Sequence, residues 1–201
     1  GSGSIAYDYS NYGNNGIISG AVWTTGQTDT ALDFDGVDDM VNLGKLNVES
    51  SQMTITAWIN PRSFAPFGSD NRIISKASGS AENDHDWMLS TIYNENDVRL
   101  RFRLKTNNTT TTLKGISNQI PTGQWTHVAA VYDSFDMKLY KNAVADTASA
   151  VKTGTIDNDS DLDVLIGANP FDYATWDGLI DDVRIYDTAL TAQQIQDVMN
   201  D

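Results

Sequence analysis

Residues 98–105 read V-R-L-R-F-R-L-K, an unbroken alternation of apolar and cationic side chains. Along an extended strand successive side chains point to opposite faces. Val98, Leu100, Phe102 and Leu104 must then share one environment, and Arg99, Arg101, Arg103 and Lys105 another. A helix would scatter both sets around its circumference. The segment predicts a strand with one face in a core and four cations on the other.

The same period recurs elsewhere. Residues 53–59 (M-T-I-T-A-W-I) put Met53, Ile55, Ala57 and Ile59 on one face. Residues 125–132 and 137–140 flank the turn cluster Asp133-Ser134-Phe135-Asp136 and predict a hairpin. Further strands are expected over 30–35, 40–43, 72–76, 87–92, 144–151, 162–166 and 179–186. One stretch reads as a helix: Thr191 suits an N-cap, Leu190 a staple contact, and Ile195, Val198 and Met199 recur at helical spacing. Many strands, turns rich in Gly, Asn, Asp and Ser, and no βαβ alternation predict an all-β fold. It is a two-sheet antiparallel jelly-roll sandwich with one short C-terminal helix.

The chain has 201 residues, enough for one such domain with its own core, expected over 5–201. Gly1-Ser2-Gly3-Ser4 reads as a cloning remnant. There is no cysteine, which removes thiol catalysis and thiolate metal sites. A net charge of −14 argues against nucleic acid and anionic membranes as partners, and no apolar run is long enough for membrane insertion. The acid is mostly Asp, which suits turns and hard cations; only Glu49, Glu82 and Glu95 are glutamate.

Four blocks, in order, resemble the LamG-like jelly-roll family of the concanavalin A-like lectin/glucanase superfamily. The first is the loop D-Y-S-N-Y-G-N-N-G at 8–16, and the second is A-L-D-F-D-G-V-D-D at 31–39. The third is W-T-H-V-A at 125–129 with L-Y-K-N at 139–142, and the fourth is G-L-I-D-D-V-R-I-Y at 178–186. Tyr12 stands where the family often has Gly, and Asn142-Ala143 replaces its usual Asn-Gly turn. The resemblance implies two curved antiparallel sheets and an accessory module of secreted glycan-active enzymes or surface adhesins. That means an extracellular location, and the cysteine-free, Asp/Asn/Thr-rich composition is associated with a bacterial source.

Calcium takes six to eight hard oxygen ligands. Asp8, Asn11 and Asn15 of the opening loop offer such oxygens, as do Asp181 and Asp182. The resemblance implies that the first and last strands lie close, so these five are expected to hold a structural calcium ion. Alternation along a strand allows at most one of Asp181 and Asp182 to ligate by its side chain. Two other acidic clusters read as solvated turns. One is Asp33, Asp35, Asp38 and Asp39. The other is the run at 157–163, where Leu162 and Ala168 replace the Gly and Glu of an EF-hand loop.

For a ligand, aromatic rings stack on sugars and guanidinium groups pair with carboxylates or sulfates. Trp87, Tyr93, Tyr173 and Trp176, together with the Arg99, Arg101 and Arg103 face, are the expected binding residues. Trp176 could equally plug the core, and carboxylates of neighbouring strands could answer the arginines. Trp58 and Trp125 match core positions. Catalysis lacks support: no E-x-D-x-x-E strand is present, and His85 and His127 have no nucleophile signalled beside them. The reading is a calcium-binding, non-catalytic module for a glycan or polysaccharide, acidic ones included, monomeric in isolation. The alternatives are a protein-binding adhesion module or a spacer.

Overall fold

The computed structural model describes residues 1–65, 70–94, 97–170 and 174–201. In chain order its strands begin with β1 (Ile5–Ala6), β2 (Gly16–Ser19), β3 (Val22–Thr25), β4 (Thr30–Asp35) and β5 (Met40–Asn42). Next come β6 (Met53–Pro61), β7 (Asp70–Ala77), β8 (His85–Asn94), β9 (Asp97–Thr106) and β10 (Thr109–Lys114). The last are β11 (Thr126–Tyr132), β12 (Asp136–Lys141), β13 (Val144–Val151), β14 (Val164–Ile166) and β15 (Asp177–Tyr186), followed by helix α1 (Ala192–Asn200). A turn of 3-10 helix, Glu82–Asp84, precedes β8.

The strands form two antiparallel sheets. The larger runs β1-β2-β5-β14-β7-β8-β9-β10, the smaller β13-β12-β11-β6-β15-β4-β3. Hairpin neighbours alternate with crossovers between strands distant in sequence, such as β5-β14-β7 and β6-β15-β4, the topology of a jelly roll. The inner faces share one core. From β6 come Met53, Ile55, Ala57 and Ile59, none with any exposure. From β9 come Val98, Leu100, Phe102 and Leu104. Each of these side chains larger than alanine contributes roughly 1.5–3 kcal/mol by leaving water.

The hairpin expected around residues 133–136 is β11–β12, closed by the Asp133 amide donating to the Asp136 carbonyl at 3.1 Å. Helix α1 starts at Thr191, whose hydroxyl accepts from the Gln194 amide at 3.2 Å while Gln194 reaches back to the Thr191 amide at 2.9 Å. Ile195 is the helix residue that is fully buried, against Ala129, Val131 and Tyr140 on the outer face of the smaller sheet. This segment explains why Thr54 is buried opposite the core-facing residues of β6: its hydroxyl donates to the Thr188 carbonyl at 2.7 Å and accepts from the Leu190 amide at 2.9 Å.

Candidate functional site

The cationic side of β9 faces away from the shared core. It continues across the larger sheet because Arg101 pairs with Ser90 of β8, and Ser90 with Arg72 of β7. Two loops fold over this face. His85 reaches under the first, its Nδ1 lying 2.8 Å from the Ala81 carbonyl. Asn169 joins the second loop to the first by donating to the Gly79 carbonyl at 2.7 Å, and its oxygen accepts from Arg72 Nε at 3.2 Å.

The four cations of the row are answered unequally. Arg99 pairs with Asp97, and Arg101 with Asp70, which also pairs with Arg72. Lys105 lies 3.8 Å from Asp86. Arg103 has no ion pair among the described residues; its Nε donates to the Thr112 hydroxyl at 3.2 Å. Its Nη1 is 3.3 Å from His85 Nδ1. That nitrogen must carry the proton it gives to Ala81, because His85 Nε2 accepts from Arg72 Nη2 at 3.0 Å. The Arg103–His85 approach is therefore donor against donor.

Charge is concentrated here. Arg72 is 2% exposed, and Arg101 is also buried. Burial, then Arg101 and Arg103, push the Arg72 guanidinium down to about 8; burial, then Arg103, push Arg101 down to about 9. Burial, then Arg72 and Arg103, push His85 down to about 4. At neutral pH three guanidiniums, Arg72, Arg101 and Arg103, stand with a neutral histidine and one directly paired carboxylate, Asp70, while Glu82 and Asp84 act on Arg103 from beyond ion-pair distance. A small anion on this face would pair directly with Arg103.

The expected aromatic platform is not on this face. Trp87 has no exposed surface and belongs to the core. Strand β8 starts at His85, so Trp87 pairs with Leu104 and takes the apolar parity of β9. Trp176 is buried in the same core and Tyr93 packs half-buried against it. Tyr173 lies outside the described residues. Trp58, expected in the core, stands half-buried on the outer side of the smaller sheet, edge-on to His127 with centroids 5.3 Å apart. The exposed aromatics of the opening loop are Tyr7, Tyr9 and Tyr12, with Tyr9 98% exposed. The run Y-D-Y-x-x-Y around turn-forming Asp and Asn was the available signal for them.

Most of the expected calcium ligands are engaged by protein groups. Asp8 accepts from the Ser10 amide and hydroxyl and from the Asn14 amide at 2.7–2.8 Å, and Asn15 accepts from the Asp8 amide at 2.9 Å. These bonds close the opening loop on itself, in the larger sheet between β1 and β2. Asp181 belongs to the smaller sheet, where its carboxylate accepts from Thr28 at 3.0 Å and Asp182 at 2.8 Å. Asp182 sits at a bulge with φ 44° and pairs with Arg184. Asn11 is exposed in the opening loop, apart from Asp181 and Asp182 in chain and sheet. Among the described residues the carboxylates that converge, with oxygens within 4.8 Å of one another, are Asp35, Asp38 and Asp39. Burial, together with Asp35, Asp38 and Asp33, raises the Asp39 carboxyl.

The family model Laminin_G_3, described as concanavalin A-like lectin/glucanases superfamily, matches residues 35–196. Among solved structures, domain 4 of AbnA, a GH43 extracellular arabinanase from Geobacillus stearothermophilus in complex with arabinotriose, is 24% identical. It superposes with a TM-score of 0.71 over 94% of this chain and 89% of that one. The Ruminococcus gnavus IT-sialidase CBM40, bound to α2,3-sialyllactose, is 16% identical with a TM-score of 0.65 over 84% of this chain and 95% of that one. A curated relative, Adhesion G-protein coupled receptor V1 of Danio rerio, is 22% identical over 152 residues. Those residues are 75% of this chain and 2% of the receptor, so the chain spans a small fraction of that relative.

Proposed function

The chain belongs to the Laminin_G_3 family of the concanavalin A-like lectin/glucanases superfamily, and on that premise we propose that it is a non-catalytic carbohydrate-recognition module of a larger extracellular or cell-surface protein. Its ligand is an anionic glycan, held on the outer face of the larger sheet. The observation that carries this reading is Arg103: a half-exposed guanidinium without an ion pair among the described residues, beside the buried Arg101 and Arg72. A guanidinium fork suits a sugar carboxylate or sulfate. The sugar-bound neighbours of the same fold support glycan binding as such. The non-catalytic reading draws support from both histidines, which are buried and depressed to about 4, His85 under Arg72 and His127 against Trp58.

The test is a glycan array followed by titration of the best anionic hit, with wild type and Arg103→Glu. Affinity should fall by at least about tenfold, since a charge-assisted hydrogen bond contributes roughly 1.5–3 kcal/mol. Equal binding by the variant, at unchanged melting temperature, rejects the assignment to this face. A blank array from folded protein favours a protein partner instead. That second reading rests on the Tyr7, Tyr9 and Tyr12 loop, whose Tyr, Ser, Asn and Gly composition is that of adaptable binding loops.

Calcium is proposed as a structural ion at Asp35, Asp38 and Asp39. Its support is the crowding of three carboxylates beside the Gly36 turn, which a divalent cation relieves.

A further inference from the structure

The cationic row of β9 ends at Lys105, in a cleft of about 210 Å³ lined by Asp84, Asp86, Lys105, Asn108, Asp157 and Asp159 among others. Its walls are tied to one another. Asn107 and Asn108, with φ of 51° and 57°, make the turn between β9 and β10, and the Asn108 amide donates to Asp157 at 2.6 Å. The Asp157 amide donates to the Lys105 carbonyl at 2.9 Å, and the Asp159 amide to Asp86 Oδ2 at 2.7 Å. Asn158, between them, accepts from the Val48 amide at 3.1 Å and donates to the Val48 carbonyl at 2.6 Å. The cleft is preformed.

Its two inner groups are incompletely used. The Asp86 side chain is 3% exposed, and its Oδ1 makes no hydrogen bond among the described residues. Lys105 Nζ, on a side chain 19% exposed, lies 3.8 Å from that oxygen. The gap is too long for a hydrogen bond. A group placed between them must accept from an ammonium and donate to a carboxylate. A hydroxyl does both; a carbonyl or carboxylate only accepts, and an ammonium only donates. An anion meets Asp84, Asp157 and Asp159. A metal ion meets Lys105, and three converging carboxylates occur among the described residues at Asp35, Asp38 and Asp39, not here. The remaining wall offers carboxylate acceptors and the Asn108 amide to further hydroxyls.

We propose that this cleft is a subsite for one neutral sugar residue, bound through its hydroxyl groups. The assignment rests on the carbohydrate-binding reading and deepens it. Arg103 and Lys105 are two residues apart on one strand face, about 7 Å along the strand. The ligand class that satisfies both is a glycan whose anionic residue adjoins an unsubstituted neutral one.

The experiment is an NMR titration of the ¹⁵N-labelled chain with methyl glycosides of L-arabinose, D-galactose and D-glucose, and separately with glucuronate. At least one neutral sugar should shift the amides of Asp86, Asn108 and Asp159 saturably. Lys105→Met should weaken that sugar by about tenfold or more, as expected for loss of a charged donor. Asn108→Gly, which removes the side-chain amide and keeps a backbone conformation glycine accepts, should weaken it without lowering the melting temperature. Glucuronate shifts at Arg103 with a silent cleft overturn this inference and leave the glycan reading standing. Silence at both places overturns both. Neutral sugar binding unchanged in the two variants also overturns it.

Discussion

His85 and His127 are both buried, and each is stabilised in the neutral form. For His127 burial is the first cause, Arg184 adds to it and Asp182 opposes it; the result is about 4, as for His85. An unfolded histidine titrates near 6.5. Below that value the unfolded chain takes up protons that the folded chain refuses. The contribution of each histidine is therefore fully present above pH 6.5 and is lost as pH falls toward 4, worth roughly 3 kcal/mol at most for each. Carboxylates held low, such as Asp8 and Asp146, lose theirs at still lower pH. Denaturant unfolding should thus show stability falling between pH 6.5 and 4.5. Proton NMR of the two imidazoles should show neither titrating near 6.5. A titration of either at that value would mean it is solvated. The types of these residues were plain in the sequence, but their neutrality was not. It depends first on burial, which tertiary packing sets, and for His85 also on Arg72, thirteen positions earlier, and Arg103.

At the scale of elements, β15 is the strand on which the smaller sheet depends, paired with β4 on one side and β6 on the other. Gly178 lies tight against the backbone at the end of β6. Its φ is 130°, and an added Cβ would sit 2.4 Å from the Asn60 carbonyl oxygen and 2.6 Å from the Arg62 nitrogen. Both neighbours are backbone and cannot swing away. Gly178→Ala should destabilise by about 3 kcal/mol or more, read from the urea midpoint. A loss under about 1 kcal/mol would show that the sheet opens there at little cost. Strand parity also explains what sequence reading misplaced. The strand expected over 87–92 begins two residues earlier, and pairing with β9 sends Trp87 inward opposite Leu104. The short β1, β2 and β3 escaped notice because they carry no clean alternation: Ile17 and Val22 are exposed.

For the whole molecule, an excess of fourteen negative charges opposes compaction and makes bound cations stabilising. Calcium should raise the melting temperature relative to EDTA, by an increment near 2.7 kcal/mol at a hundredfold excess over Kd. Asp38→Asn should abolish that increment, whereas Asp8→Asn should lower stability equally with and without calcium, because Asp8 is consumed by its own loop. If Asp8→Asn alone removed the calcium effect, the ion would belong to the opening loop. The all-β sandwich, its hairpin and its capped C-terminal helix were legible in the sequence, because side-chain alternation and turn chemistry are local and repeat within a few residues. So was the opposition of an apolar and a cationic face on β9. Which cations find partners was decided by sheet order, since Asp70, Asp86 and Thr112 reach the row from β7, β8 and β10. The placement of the opening loop and Asp181 on different sheets was also tertiary. Contacts between strands distant in sequence are set by register and layer packing, and no local pattern encodes either.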